Sequence, residues 1–100
     1  MSATIGRARV TILFESTFSI KEKRGEMKSV GRRVQNQFNA AIAEIETLDD
    51  MRTGTFGVVV VSNDASHANA MLSNVVAFIE RSLDLAYLGE VEIELFSFDG

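Results

Sequence analysis

The sequence has no cysteine, no proline and no tryptophan, and it has one histidine and one tyrosine among 100 residues. Without cysteine the chain forms no disulfide, holds no thiolate-bound metal and has no cysteine nucleophile. No segment approaches the about 18 consecutive apolar residues that cross a bilayer. The first residues also lack the uninterrupted apolar stretch of a secretory signal peptide. We therefore expect a soluble, cytoplasmic protein that does not contact a membrane.

Residues that carry catalysis or bind metals and cofactors are also scarce. His67 has no second histidine to complete a common zinc set, and we expect it at the surface or as a capping residue. Gly54 and Gly57 do not form a phosphate-binding glycine pattern. The acidic residues of 46–50 suit a polar hairpin turn better than a cation site. The sequence predicts a protein that is not an enzyme and needs no metal or cofactor.

The charges are divided unevenly along the chain. The net charge is −4, but residues 1–39 carry a net +5 and residues 40–100 a net −9. Such asymmetry indicates an acidic partner for one surface, provided that the basic groups cluster in space. The hydrophobic content of 46% is enough for one packed domain over residues 1–100.

Hydrophobic periodicity alternates between strand and helix in the order β-α-β-β-α-β. That order predicts an α+β, ferredoxin-like fold, in which two helices cover one face of a four-stranded antiparallel sheet with strand order 4-1-3-2. The predicted strands are residues 4–14, 40–46, 55–62 and 90–98, with Gly89 in the connection before the last. The helices are about 20–38 and from the N-cap Asp64 to Leu83. The predicted buried residues are Val10, Ile12, Val34, Phe38, Leu72, Val75, Ile79 and Ile93.

The other sheet face, which no helix covers, is predicted to have an apolar middle. Strand alternation places Leu13, Ile42, Phe96 and one set of the valines 58–61 on it. An exposed apolar patch with a charged rim is typical of self-association, so we expect a homodimer or a higher symmetric oligomer.

Charged residues are predicted to surround that patch. Arg7 and Arg9 should neighbour acidic residues of the last strand. RNA-recognition domains of this fold stack bases on aromatic side chains of the third strand, which has only Phe56. The edge strands are expected to add Glu44, Glu46, Glu92 and Glu94 to this face.

The first helix begins with an electrostatic anomaly. Ser19 and Glu22 form a capping box that predicts the helix start. Lys21, Lys23 and Arg24 then lie in the first turn, where the helix dipole repels cations by about 0.3–1 kcal/mol each. Positions at which a residue conflicts with the preference of its local structure are often functional.

The cations of this helix fall mainly on one flank. On a helical wheel Lys21, Arg24, Lys28 and Arg32 lie together with Gln35 and without an acidic neighbour, opposite a flank with Glu22, Glu26 and Arg33. This stripe is either a solvated helix face or a surface that follows a phosphate backbone.

Lys23 is a separate case, because the wheel places it in the apolar sector between Val30 and Val34. It either extends past the sheet edge to solvent or is a buried functional amine, which in the sharper alternative coordinates an anion.

Three stretches of the chain form a pattern together: SIKEKRGEMKSV (19–30), QFNAAIAEIE (37–46) and GVVVVSNDASHANAMLSNVVAFIE (57–80). They resemble the YlxP-like family of small bacterial proteins of unknown function (domain-of-unknown-function family 503). The resemblance implies a ferredoxin-like fold and a cytoplasmic protein whose gene often lies among translation and ribosome-maturation genes. It implies no established activity.

Two functions remain open from the sequence. The first is a binding protein for structured RNA or the ribosome that uses Lys21, Lys23, Arg24, Lys28 and Arg32. The second is a homo-oligomeric regulatory module that binds a small anionic ligand at Lys23 and Arg24. A steep dependence of affinity on salt would distinguish the first from the second.

Overall fold

A computed structural model describes residues 3–16 and 18–99 of the chain. Its elements follow the expected order, and each begins or ends within a few residues of the predicted position except at the start of the last strand. The elements are β1 (Thr4–Phe14), α1 (Ile20–Gln37), β2 (Ala41–Glu44), β3 (Thr53–Ser62), α2 (Ala65–Ser82) and β4 (Ala86–Ser97).

The four strands form one antiparallel sheet in the order β2-β3-β1-β4. Read from the other edge this is the predicted order 4-1-3-2, so the ferredoxin-like topology is confirmed. β1 and β3 are central, because each pairs on both sides. Both helices pack on the same side of the sheet, α1 over β2 and β3, and α2 over β1, β3 and β4.

The helices begin where their capping residues predict. The hydroxyl of Ser19 accepts a hydrogen bond from the backbone N–H of Glu22, and the Glu22 carboxylate accepts one from the N–H of Ser19. At α2 the carboxylate of Asp64 accepts a hydrogen bond from the N–H of His67 at 3.0 Å. Within the described ranges, neither helix is long and apolar enough to cross a membrane.

The core lies between the sheet and the two helices. Six of the eight predicted core residues are buried, while Phe38 and Ile93 are half-buried and pack against the core. The difference follows from position, since Phe38 is the C-cap of α1 and Ile93 belongs to the edge strand β4. The confirmed core residues are Val10, Ile12, Val34, Leu72, Val75 and Ile79.

The prediction for β2 was wrong about which face its side chains occupy. Ile42 pairs with Val58 and is buried beneath the helices, and Glu44 pairs with Phe56 on that same side. Ala41 and Ala43 therefore face the open side. A short strand of small and branched residues gives no clear alternation, so its register decides which face is buried.

The last strand begins earlier than expected. β4 starts at Ala86, so Gly89 lies inside the strand rather than in a connection. The pairing register with β1 shifts between Val10 and Ile12, where Gly89 and Glu90 of β4 lie opposite the single residue Thr11, the two-to-one count of a β-bulge. A Cβ at residue 89 would lie 3.1 Å from the side chain of Leu13, which explains why glycine suits the bulge.

At Gly6, on β1, the side chain of Leu72 from α2 packs directly against the sheet. A Cβ there would lie 2.9 Å from Leu72 and 3.1 Å from both Val60 and Leu95. We expect Gly6→Ala to lower the free energy of unfolding by about 1–3 kcal/mol, because these packed neighbours must move. Urea denaturation measures the change.

The matched control is Gly57→Ala, on β3 and on the open face of the sheet. The Cβ added there meets only the side chain of Ile45, at 3.0 Å. Its effect should stay within about 0.5 kcal/mol. Equal effects of the two substitutions would contradict the close packing at Gly6.

Candidate nucleic-acid interface

Lys23 is fully buried, although it lies in the first turn of α1. Its ammonium group donates hydrogen bonds to the backbone carbonyls of Thr47, at 2.6 Å, and of Asp50. The carboxylate of Glu44 lies 3.7 Å from the same nitrogen. Protein oxygens therefore satisfy the buried charge of Lys23.

Of the two sequence interpretations of Lys23, extension to solvent is wrong, while burial of the amine is confirmed. The side chain does not extend past the sheet edge to solvent, and its ammonium is enclosed by the β2–β3 connection instead of facing an external anion. The physical reason is that β2 turns Glu44 toward the helix side, which brings the connection over the start of α1. The contacts of Lys23 with these protein groups offset the unfavourable interaction between its charge and the helix dipole.

Hydrogen bonds within the β2–β3 connection stabilise the segment that binds the Lys23 ammonium. The hydroxyls of Thr47 and Thr55 are hydrogen-bonded at 2.7 Å. The carboxylate of Asp50 accepts hydrogen bonds from the backbone N–H groups of Arg52, at 2.8 Å, and Thr53, at 3.1 Å. These bonds hold the two carbonyls in place for the ammonium. The acidic residues of the connection therefore serve its turn geometry.

The remaining cations of the predicted stripe lie in solvent on one side of α1. We call Lys21, Arg24, Lys28 and Arg32 the basic flank, and all four side chains are exposed. Burial of Lys23, Met27, Val30 and Val34 against the sheet fixes the rotation of the helix. The flank therefore has one defined direction, toward the sheet edge formed by β2.

A groove of about 420 Å³ runs between the basic flank and the edge strand β2. Arg24, Lys28 and Arg32 lie on its helix side, while Ala43 and Glu44 form the strand side. Apolar atoms form its floor. The groove thus joins three of the four flank cations to the unpaired edge of the sheet. Its remaining lining residues are Met27, Gly31, Gln35, Ile42 and Phe56.

The flank cations have few internal partners. Arg24 lies 3.9 Å from the fully exposed carboxylate of Asp49, a geometry that contributes little in water. Among residues 3–16 and 18–99, no carboxylate lies within 4 Å of Lys21, Lys28 or Arg32. The charge of these groups is available to a ligand.

The opposite flank of α1 is used for structure. The Glu26 carboxylate accepts hydrogen bonds from the backbone N–H groups of Asp84, at 3.1 Å, and Leu85, at 2.9 Å, and so ties α1 to the α2–β4 connection. The guanidinium of Arg33 lies 5.7 Å from the ring centre of Phe78. The two flanks therefore differ in role as well as in charge.

The arginines of the open face are paired within the chain, as expected. Arg7 bonds to Glu94, and Arg9 bonds to Glu92 at 3.1 Å and to Glu46 at 3.0 Å. The hydrogen bond with Glu92 and then that with Glu46 raise the pKa of Arg9 above its ordinary value. Glu46 reaches Arg9 from the β2–β3 connection, where its backbone has a left-handed φ of 65°. These arginines are engaged, unlike the basic flank.

The structure also shows where two residues considered from the sequence, Phe56 and His67, are located. Phe56, the aromatic residue of β3, is buried beneath the helices and does not face the open side of the sheet. His67 is exposed, with its Nδ1 atom 2.9 Å from the hydroxyl of Ser62 at the start of α2. Within the described part of the chain, no three histidine, cysteine or acidic side chains are grouped as a metal site would require.

The sequence predicted the basic flank but missed the groove and the partners of Lys23. The groove depends on where β2 pairs, and the partners of Lys23 are backbone carbonyls, which leave no trace in residue type. The one available signal was the position of Lys23 among the apolar residues of the helical wheel.

Comparison with known proteins places the chain in a family. The family model described as "Protein of unknown function (DUF503)" matches residues 5–92. The "Uncharacterized protein YlxP" of Bacillus subtilis (strain 168) is 37% identical over 76 residues, which cover 76% of this chain and 83% of that protein. These matches confirm the resemblance drawn from the sequence.

Solved structures with similar coordinates include two designed proteins. The de novo designed protein Foldit4 is 11% identical, with a TM-score of 0.54 over 95% of this chain and 97% of the design. The de novo designed protein LFR1 1, with a ferredoxin fold, is 21% identical, with a TM-score of 0.52 over 98% of this chain and 86% of the design. At these identities the similarity establishes the fold alone.

Substitution of Lys23 tests its structural role. We expect Lys23→Met to lower the free energy of unfolding by about 3 kcal/mol, because it leaves two carbonyls without their donor and the Glu44 carboxylate without the nearby opposite charge. The exposed neighbour Lys21→Met is the matched control, with an expected change within about 0.5 kcal/mol. Chemical denaturation compares the two, and similar small losses would show that the buried ammonium does not hold the connection.

Proposed function

The chain belongs to the DUF503 family of proteins of unknown function, and we propose that it is a non-enzymatic binding protein for structured RNA or the ribosome. The basic flank of α1 and the adjoining groove form the proposed contact surface. Lys23, although named with the flank from the sequence, is left out because its ammonium is buried.

The observation that carries this proposal is the combination of exposed cations and a groove on one side of α1. Arg24, Lys28 and Arg32 share the wall of the groove without a close internal partner, apart from the long contact of Arg24 with Asp49. Elsewhere in the fold, Arg7 and Arg9 bond to carboxylates. A side chain that remains unpaired in an acidic chain keeps its charge for a ligand.

The length of the flank favours a polymeric anion over a single phosphate or carboxylate. Residues 24, 28 and 32 follow one another by one helical turn, or about 6 Å, and Lys21 extends the row to about 16 Å. Each cation can therefore meet a different phosphate of a nucleic-acid backbone. A small anion would engage only one or two of them.

Because the net charge is −4, the rest of the molecule repels a polyanion. Attraction is therefore confined to close range, where the flank dominates the local potential and the distant acidic residues are screened by salt. This arrangement favours docking in one orientation, with the open face and β4 directed away from the RNA.

The experiment is co-sedimentation with ribosomal subunits, together with titration of ribosomal RNA fragments, from about 50 to 300 mM salt. For the triple variant Arg24→Gln, Lys28→Gln and Arg32→Gln, we expect affinity to fall by about tenfold or more. The slope of log affinity against log salt should decrease by about 0.7–0.9 for each phosphate that the variant no longer neutralises. Adding Lys21→Gln tests whether the bound RNA reaches the first turn of α1.

A matched control removes the same charge at three arginines that do not line the groove, through Arg33→Gln, Arg52→Gln and Arg81→Gln. This variant should keep most of the wild-type affinity and salt slope, because its changes lie outside the basic flank. Equal reductions in both variants would indicate a response to net charge alone. Unchanged binding in the flank variant would contradict the proposal.

A further inference from the structure

The open face of the sheet carries an apolar row at one end. Val61, Ile5 and Phe96 are successive register partners on β3, β1 and β4, so their side chains stand side by side across the strands. Val61 is 55% exposed and Phe96 is 43% exposed. We call these three residues the apolar row. Large apolar side chains at such exposure form a raised strip on the open face.

A hollow lies beside the apolar row, over β2 and β3. Gly57 has no side chain, and its pairing partner Ala43 and the nearby Ala41 contribute only methyl groups. Together with Ile45 and Val59 they line a depression of about 370 Å³, bordered by the two arginines of β1. The face therefore has a raised strip and a depression of similar apolar character next to each other.

The charges on this face are balanced within the chain. The guanidinium groups of Arg7 and Arg9 bond to Glu94, Glu92 and Glu46, and these five groups together carry a net charge of −1. A surface of this kind can meet an identical surface without strong repulsion. These groups have no excess positive charge that would attract a nucleic acid.

We propose that the open face binds a second copy of this chain. Val59 lies on β3 between Val61 of the apolar row and Gly57 of the hollow. A two-fold axis in the plane of the interface and close to Val59 therefore places the row of each copy over the hollow of the other. Such mutual fit is what an isologous dimer requires.

The available area agrees with a dimer of moderate affinity. Three strands of 10–12 residues and the four-residue β2, spaced about 4.8 Å apart, offer a face of about 600 Å². Two such faces would bury about 1,200 Å², at the lower limit of specific interfaces. We expect a dissociation constant on the order of 10 µM.

This dimer is independent of the proposed RNA contact, because the basic flank lies on the helix side of the sheet. Pairing through the open faces leaves both helix layers outside. The dimer would present two basic flanks to solvent, directed to opposite sides.

The test is sedimentation velocity of the wild-type chain from about 5 to 500 µM, a range that brackets the expected dissociation constant. Val59→Asp places two like charges at the two-fold axis. Gly57→Val adds bulk at the hollow, because the Ile45 side chain 3.0 Å from the new Cβ must move, and it retains a residue suited to a strand. We expect each variant to weaken dimerisation at least about tenfold. Leu48→Asp is the control, since Leu48 is 50% exposed in the β2–β3 connection and belongs neither to the apolar row nor to the lining of the hollow, and this variant should dimerise as wild type.

Circular dichroism and thermal melting establish that each variant is folded. If Val59→Asp does not fold, Gly57→Val alone provides the comparison with wild type. A concentration-dependent dimer that both folded variants weaken and Leu48→Asp leaves intact supports the proposal. A wild-type chain that stays monomeric throughout the series overturns it. A dimer that persists in Gly57→Val at wild-type affinity also overturns it.

Discussion

The hydrogen bonds of the Lys23 ammonium to two backbone carbonyls determine how the first helix lies on the sheet. They join the first turn of α1 to the β2–β3 connection, and the adjacent Glu44 carboxylate adds an opposite charge. Because the helix is held at this point and by Met27, Val30 and Val34, its polar flanks have fixed directions. The position of Arg24, Lys28 and Arg32 beside β2 follows from that attachment.

The electrostatic anomaly of the helix start separates into two parts in the structure. Carbonyl dipoles and Glu44 surround Lys23, so its unfavourable position in the helix dipole is compensated by protein groups. Lys21 and Arg24 are exposed, and water and salt weaken their repulsion from the dipole. A single helical turn thus contains one cation that stabilises the fold and two that remain accessible.

The element order and most of the core could be predicted, because long periodic segments such as β1 and α2 leave one consistent burial pattern. Which side of the sheet each β2 side chain occupies could not be predicted, because four residues with two alanines fit either register. The pairing of Ile42 with Val58 decides between them. The exposed flank followed from the helical wheel alone. The groove required knowing which strand lies beside it, and the environment of Lys23 required backbone atoms far along the chain.

The sheet topology also constrains when the fold can be completed during synthesis. β1 is made first, yet it lies at the centre of the sheet and needs β4, which is made last, along one entire side. Arg7 and its partner Glu94 are 87 residues apart in sequence. Pairing at such separation must wait until β4 has left the ribosomal tunnel. Until then β1 has one unsatisfied edge, so the sheet closes only after the last of its strands in chain order has emerged.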